Sequence, residues 1–255
     1  KARNEVRLTR PDELGQQQVF RMNVLNPPFN NLKIRQAVGY ALDQAEMVRA
    51  IGADDSQARA CPSFYMCGSP YFTAAGWPKL NLERARQLVR ESGYDGTPAV
   101  LLDPTENAMT HPQVLVAAQM LQSIGIKVDV QAMDWGTLVQ RRVSKSPVGQ
   151  GGWSAFLSGP AGPDMMEPLG HMALRANCDG AWFGWPCDDG IESMRRAFAD
   201  EVDPAKRKEI ARQVQLRAIE YAHYWPVMNF YSIRAARANV TGLLTSPVPV
   251  YWNAK

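Results

Sequence analysis

Residues 98–134, PAVLLDPTENAMTHPQVLVAAQMLQSIGIKVDVQAMD, decide the fold class. PAVLLDP reads as a strand, THPQVLVAAQMLQSIGI as a helix, and KVDVQAMD as a second strand. A strand, a helix and a strand in that order form a right-handed parallel crossover. Parallel neighbours need a long connection, and the twist of the strands selects one hand. The chain is therefore expected to be α/β.

The flanking sequence continues the pattern. Before this unit, QQVFRMNVL (17–25) alternates as a strand that Pro27 and Pro28 must end. Asn30 or Asn31 is placed to cap a helix whose apolar positions are Ile34, Ala37, Val38, Ala41 and Leu42. Asp43 caps or interrupts it ahead of QAEMVRAIG, which stops at Gly52. Residues 53–80 are rich in Pro and Gly and read as loops, and NLERARQLVRESGY (81–94) is a helix between Asn81 and Gly93. Beyond the crossover come a short helix, DWGTLVQRRVSKS, and a strand, GGWSAFLSG, that runs into the loop GPAGPDMMEP. GIESMRRAFA and DPAKRKEIARQVQLRAIEYA are helices, the second opened by Asp203 and Pro204. YWPVMNFYSIRAAR is a strand-like run ahead of a Pro-rich tail.

The 255 residues are 45% hydrophobic and 21% charged, an ordinary balance for a globular chain large enough to bury a substantial core. No apolar stretch approaches the roughly 18–20 residues needed to span a bilayer. The net charge of +3 is small and well mixed, which gives no reason to expect a nucleic-acid partner. The first residue is not Met and no leader pattern follows it, so the start is expected to be a cut and an export signal to lie outside this chain.

Four cysteines fall in two close pairs, Cys61 with Cys67 and Cys178 with Cys187, each in a segment of Pro, Gly and aromatic residues. Two local disulfides and an oxidising compartment are the preferred reading. Zinc is the competitor, but neither spacing is Cys-x-x-Cys and no histidine lies close by in sequence. His111, His171 and His223 belong to no recognisable constellation, and no hydrolase, zincin or phosphate-loop motif occurs. Neither an enzyme, a cofactor nor a metal is expected. Large side chains gather instead in loops and at strand ends: Trp153 and Phe156, Met165 and Met166, and Trp182, Phe183 and Trp185 inside the second cysteine loop. Such residues either line a small-molecule site or pack their own loops. Trp182 and Trp185 are read as loop packing, while Trp153 and Phe156 stay open between the two roles. Arg141 and Arg142 are either a carboxylate anchor or, as preferred, exposed charges on a helix face.

NPPFNNLKIRQAVGYALDQAEMV (26–48) resembles the Pro-Pro-Phe segment and following helix of the extracytoplasmic solute-binding proteins of the dipeptide/oligopeptide/nickel group, family 5. The match falls on Pro27, Pro28, Phe29, Arg35, Gln36, Ala37, Ala41 and Asp43, and is joined by LERARQLVRESGY, AAQMLQSIGI, Trp135, Trp153 and VTGL. The resemblance implies a periplasmic-binding-protein type II-like lobe, a mixed sheet flanked by helices, covering the C-terminal portion of such a receptor. Its implied division is a remnant of the large lobe and hinge strand at 1–25, a second ligand-binding lobe at 26–226, and a return strand and tail at 227–255. It implies a periplasmic component of an ABC importer that closes two lobes on a peptide or other small polar solute and delivers it to a membrane permease. The ligand-binding residues it suggests are Trp153, Ser154, Phe156, Asp164 and Met165. Dipeptide-binding members carry an Asp three residues after the strand tryptophan, where this chain has Phe156. That departure widens the expected solute to modified peptides and opines. An exported interaction module of the same fold, without a ligand, is the alternative.

Overall fold

The computed structural model describes residues 5–10, 14–246 and 250–255, so parts of the expected N-terminal remnant and of the Pro-rich tail lie outside the described residues. The strands are β1 (Val6–Thr9), β2 (Gln16–Met22), β3 (Ala58–Arg59), β4 (Ala99–Pro104), β5 (Val128–Met133), β6 (Ala155–Ser158), β7 (Tyr224–Phe230) and β8 (Arg234–Arg237). The helices are α1 (Leu32–Ala41), α2 (Gln44–Ala50), α3 (Leu82–Glu91), α4 (Thr110–Ser123), α5 (Trp135–Arg141), α6 (Asp189–Asp200) and α7 (Pro204–Tyr221).

Six strands form one mixed sheet in the order β3-β7-β2-β6-β4-β5. The crossover read from the sequence is its parallel half: β4 pairs with β5 from Ala99↔Val128 to Pro104↔Met133, and β6 lies parallel on the other side of β4. β2 pairs antiparallel with both β6 and β7. β1 and β8 form a separate two-stranded ladder.

Helix starts follow the expected chemistry. Asn31 Oδ1 accepts from Lys33 N, and Asp43 Oδ1 from Ala45 N and Glu46 N. Asn81, Asp134, Asp188 and Asp203 cap α3, α5, α6 and α7 in the same way. Each satisfies backbone donors that the first turn would otherwise leave open, at about 1 kcal/mol apiece.

Two sequence expectations change. The strand at 17–25 ends at Met22, before the prolines: Asn23 N still reaches the carbonyl of Ser154 opposite it, but Val24 N leaves the sheet for the carbonyl of Gly184. YWPVMNFYSIRAAR divides into β7 and β8. Pro226 is tolerated inside β7 because the register slips there: Gln18 faces Met228 while Val19 faces Pro226. A bulge is where a residue without an N–H fits.

The main core fills one face of the sheet with α1, α2 and α4, and α3 packs outside α1. Residues alternate strictly across β4 and β6. Ala99, Leu101, Ala155 and Leu157 join this core, whereas Val100, Leu102 and Phe156 point to the opposite face. Cys61–Cys67 and Cys178–Cys187 are both disulfide-bonded, each worth about 2–3 kcal/mol in the loop-entropy account.

Candidate ligand-binding face

Phe156 shares its face of the sheet with a second, smaller cluster. Val100, Leu102, Leu138, Trp153, Phe156 and Trp185 are buried in it. Trp135, Trp182 and Phe183 pack against it and stay partly exposed. The rings form a continuous chain, edge-to-face at Trp153–Phe156 and Phe156–Trp182 and tilted at Trp153–Trp185. Trp153 meets Phe156 at 5.1 Å between centroids and Trp185 at 6.0 Å, and Phe156 meets Trp182 at 5.6 Å. Residues of α5 and of the loops around 144–153 and 177–187 pack against this face of the sheet.

Those loops are held by polar side chains rather than by regular structure. Arg21, opposite Phe156 in the β2–β6 register, sends its guanidinium to three carbonyls: Nε to Phe183 at 2.6 Å, Nη1 to Ala173 at 2.9 Å and Nη2 to Trp182 at 3.0 Å. Burial lowers its pKa to about 9, so it stays a cation at neutral pH. Asn23 and Asn26 donate to the Trp153 carbonyl, and Asn26 also to Ser146. Arg141 donates to the carbonyls of Gly151 and Gly152. The Asn-Pro-Pro-Phe segment thus anchors the rim of the aromatic cluster.

The structure separates the site residues expected from the sequence. Trp153 and Phe156 lie together in the second cluster, both essentially inaccessible. Ser154, equally buried, points away into a hydrogen-bond junction with Pro27 and Val100. Met165 belongs to the main core. Asp164, on the short 3-10 turn Gly162–Met165, is the one exposed member.

Arg141 and Arg142 correct the preferred reading of exposed charges, since both are half-buried. The Arg142 guanidinium carbon sits 4.7 Å from the Phe183 ring centroid and 5.9 Å from those of Trp135 and Phe156. Desolvation lowers its pKa. Trp182 and Phe183, read as loop packing or left unassigned, also form part of the wall. A signal for Arg142 was present: Trp135, Leu138 and Arg142 are spaced i, i+3, i+7, one face of a helix.

Two of the histidines are held in backbone hydrogen bonds. His171 Nε2 bonds the Phe64 carbonyl and His223 Nε2 that of Ala173, deep in the protein. Among the described residues no three His, Cys, Asp or Glu side chains gather as metal ligands.

The chain is 32% identical over 248 residues to the "Probable peptide ABC transporter periplasmic-binding protein y4tO" of Sinorhizobium fredii, covering 94% of this chain and 46% of the relative. Its fold is similar to a dipeptide binding protein from Pseudoalteromonas sp. SM9913 in complex with Met-Leu, with TM-score 0.80 and 20% identity over 99% of this chain and 50% of that one. It is similar also to AgaA of A. tumefaciens R10 in complex with agropinic acid, with TM-score 0.76 and 20% identity over 94% and 48%. The chain therefore spans about half the length of these relatives. The family described as bacterial extracellular solute-binding proteins, family 5, middle, matches residues 3–176. With that match over more than half of the chain, the chain belongs to the family 5 bacterial extracellular solute-binding proteins.

Proposed function

We propose that this chain supplies one lobe of a two-lobe periplasmic receptor, which binds a peptide-like or other small polar solute and hands it to an ABC permease. The observation that carries the reading is the aromatic cluster on the sheet face opposite the main core. Its floor, Trp153 and Phe156, is buried, and its walls, Trp135, Trp182 and Phe183, remain partly open. Aromatic walls over a rigid floor suit a site where apolar area supplies affinity and a few polar groups fix orientation. In this reading Trp153, Ser154 and Phe156 shape the floor from beneath, Met165 supports the turn that carries Asp164, and Asp164 is free to meet solute or the opposing lobe.

The chain enters the six-stranded sheet at Gln16 and leaves it at Phe230, on neighbouring antiparallel strands whose ends Gln16 and Phe230 are paired. Two crossings side by side suit a hinge, and we assign the β1–β8 ladder and the C-terminal tail to the far side of it. Leu8 is 67% exposed and Trp252 90%, apolar surface that a second lobe would cover. The relatives' printed descriptions support a periplasmic location and transport rather than catalysis, and the two disulfides agree with that compartment.

Native mass spectrometry of the protein purified from its own cells tests the reading. A retained small molecule of peptide or opine mass is expected. A co-purifying polypeptide with no small molecule would replace this reading with that of an interaction module.

A further inference from the structure

The two disulfides close loops of different kinds. Cys61–Cys67 sits against the core: Cys61 is fully buried, and Phe64, Tyr65 and Met66 inside its loop are core residues. Cys178–Cys187 lies at the surface, with Cys187 exposed and Cys178 half-buried. Its loop encloses Trp182, Phe183 and Trp185, three of the aromatic side chains of the candidate face.

This second loop is held unevenly. On the inner side Arg21 donates to the Trp182 and Phe183 carbonyls, and Val24 N to that of Gly184. At the neck two backbone hydrogen bonds accompany the disulfide, from Cys178 N to the Pro186 carbonyl and from Asp188 N to that of Ala176. Cys187 N donates to the Tyr221 hydroxyl. On the outer side the tie to the 144–153 loop is the exposed ion pair of Lys145 with Asp179, a kind that contributes little in water. Two non-glycine residues of the loop are left-handed, Cys178 at φ 59° and Trp185 at φ 47°. Side chains in that region are costly and persist where the surroundings impose them. One of the two is an end of the disulfide, and the other contacts Trp153 across the cluster.

We infer that Cys178–Cys187 is a redox-sensitive latch on the aromatic wall, opened by a dithiol. One thiolate of the dithiol attacks the Cys187 sulfur, the more exposed end, and Cys178 leaves as a thiolate that takes up a proton. The second thiol then displaces Cys187 from the mixed disulfide. Two electrons and two protons pass to the protein, which gains two thiols, and the dithiol becomes a disulfide. Exposed disulfides are the labile ones, so Cys61–Cys67 stays closed. With the neck open, Cys178 and Trp185 relax from the left-handed region and Trp185 parts from Trp153, while Arg21 retains the carbonyls at 182 and 183. The consequence for solute rests on the proposed function: a loosened wall must be re-ordered at each binding event, which weakens affinity.

The test is stepwise reduction of the whole protein with dithiothreitol, the thiols being trapped by iodoacetamide and located by peptide mass spectrometry. It is read in parallel on the tryptophan indole N–H signals by NMR, assigned by Trp→Phe substitution. Cys178 and Cys187 are expected to be alkylated at reductant levels that leave Cys61–Cys67 closed. The Trp182 and Trp185 signals should then shift or broaden, while Trp77 and Trp225, packed on Phe64 of the first loop, stay in place. Oxidised glutathione should restore them. The double variant Cys178→Ser, Cys187→Ser should show the reduced pattern without reductant; the reduced unaltered protein serves if that variant does not fold. Opening of Cys61–Cys67 first or together with the other overturns the latch. So does reduction of Cys178–Cys187 that leaves the Trp182 and Trp185 signals unchanged. Trialanine is the probe for solute, expected to bind the reduced protein about tenfold more weakly. Equal binding by both forms overturns the control of binding; no binding by either overturns the peptide reading, and the indole signals still decide the latch.

Discussion

One hydroxyl at Ser154 joins three segments that are distant in sequence. Its Oγ donates to the Pro27 carbonyl at 2.9 Å and accepts the Val100 N–H at 3.0 Å, tying the Pro-Pro entry segment to β4 and to the residue that precedes β6. Ser154 and Val100 are buried and Pro27 is half-buried. Ser154→Ala removes little volume but leaves a donor and an acceptor unpaired, so it should cost about 1–3 kcal/mol. Urea unfolding would read this as a lower midpoint at unchanged slope; a loss well under that range would mean that water or rearrangement replaces both bonds. Phe156 makes the complementary point. Its bare position after Trp153 is visible in the sequence, but its neighbours Trp182 and Arg142 come from other segments and were not legible there.

Among the helices, α1 shows propensity and packing in opposition. Gly39 lies inside it, where Gly→Ala ordinarily stabilises by about 1 kcal/mol. Here an added methyl would overlap the Trp225 ring. That ring cannot retreat easily: it is buried, donates Nε1–H to the Arg35 carbonyl at 3.0 Å, and packs 5.5 Å from Trp77 and 5.9 Å from Phe64. Overpacking of this kind costs about 1–3 kcal/mol, so Gly39→Ala should be net destabilising. A raised melting temperature would contradict the close approach of α1 to β7. The helices and strands β2, β4, β5 and β6 were legible, because caps and periodicity are local; β1 and β3, the latter inside a stretch read as loops, were not. The division of the last apolar run into β7 and β8 was not, since β7 ends where its ladder with β2 and β3 ends, at the Phe230 pairings with Gln16 and Ala58.

At the scale of the whole molecule, two histidines buried beneath the sheet couple folding to pH. Desolvation pushes His171 down to about 3 and His223 well below its ordinary value. Both are neutral in the folded protein, whereas in the unfolded chain each takes a proton near pH 6.5. As pH falls below about 6.5 the unfolded state binds protons first. Stability should then drop by up to about 1.4 kcal/mol per pH unit for each histidine, towards the folded value. Carboxylates with lowered pKa, such as Asp134 and Glu209, add their losses only at more acidic pH. Urea midpoints at pH 7.5 and pH 5 check this: the acid midpoint should be clearly lower, and equal midpoints would mean the histidines are solvated.

The sequence by itself determined the α/β class, the parallel crossover, the helix starts and the cysteine pairs. Each of these depends on spacing within a few residues or on one supersecondary unit. Family membership was legible for the same reason, carried by short ordered motifs from Pro27 onward. Only the tertiary structure decided which side chains meet on the candidate face. Alternation sends Phe156 to one side of the sheet and Leu157 to the other, but the pairing of β6 with β2 and β4 brings Arg21 and Leu102 beside it. The loop bearing Trp182 and Phe183 reaches that face because Arg21 binds its carbonyls. Contacts between remote segments follow from packing and hydrogen-bond satisfaction in three dimensions, and no local pattern encodes them.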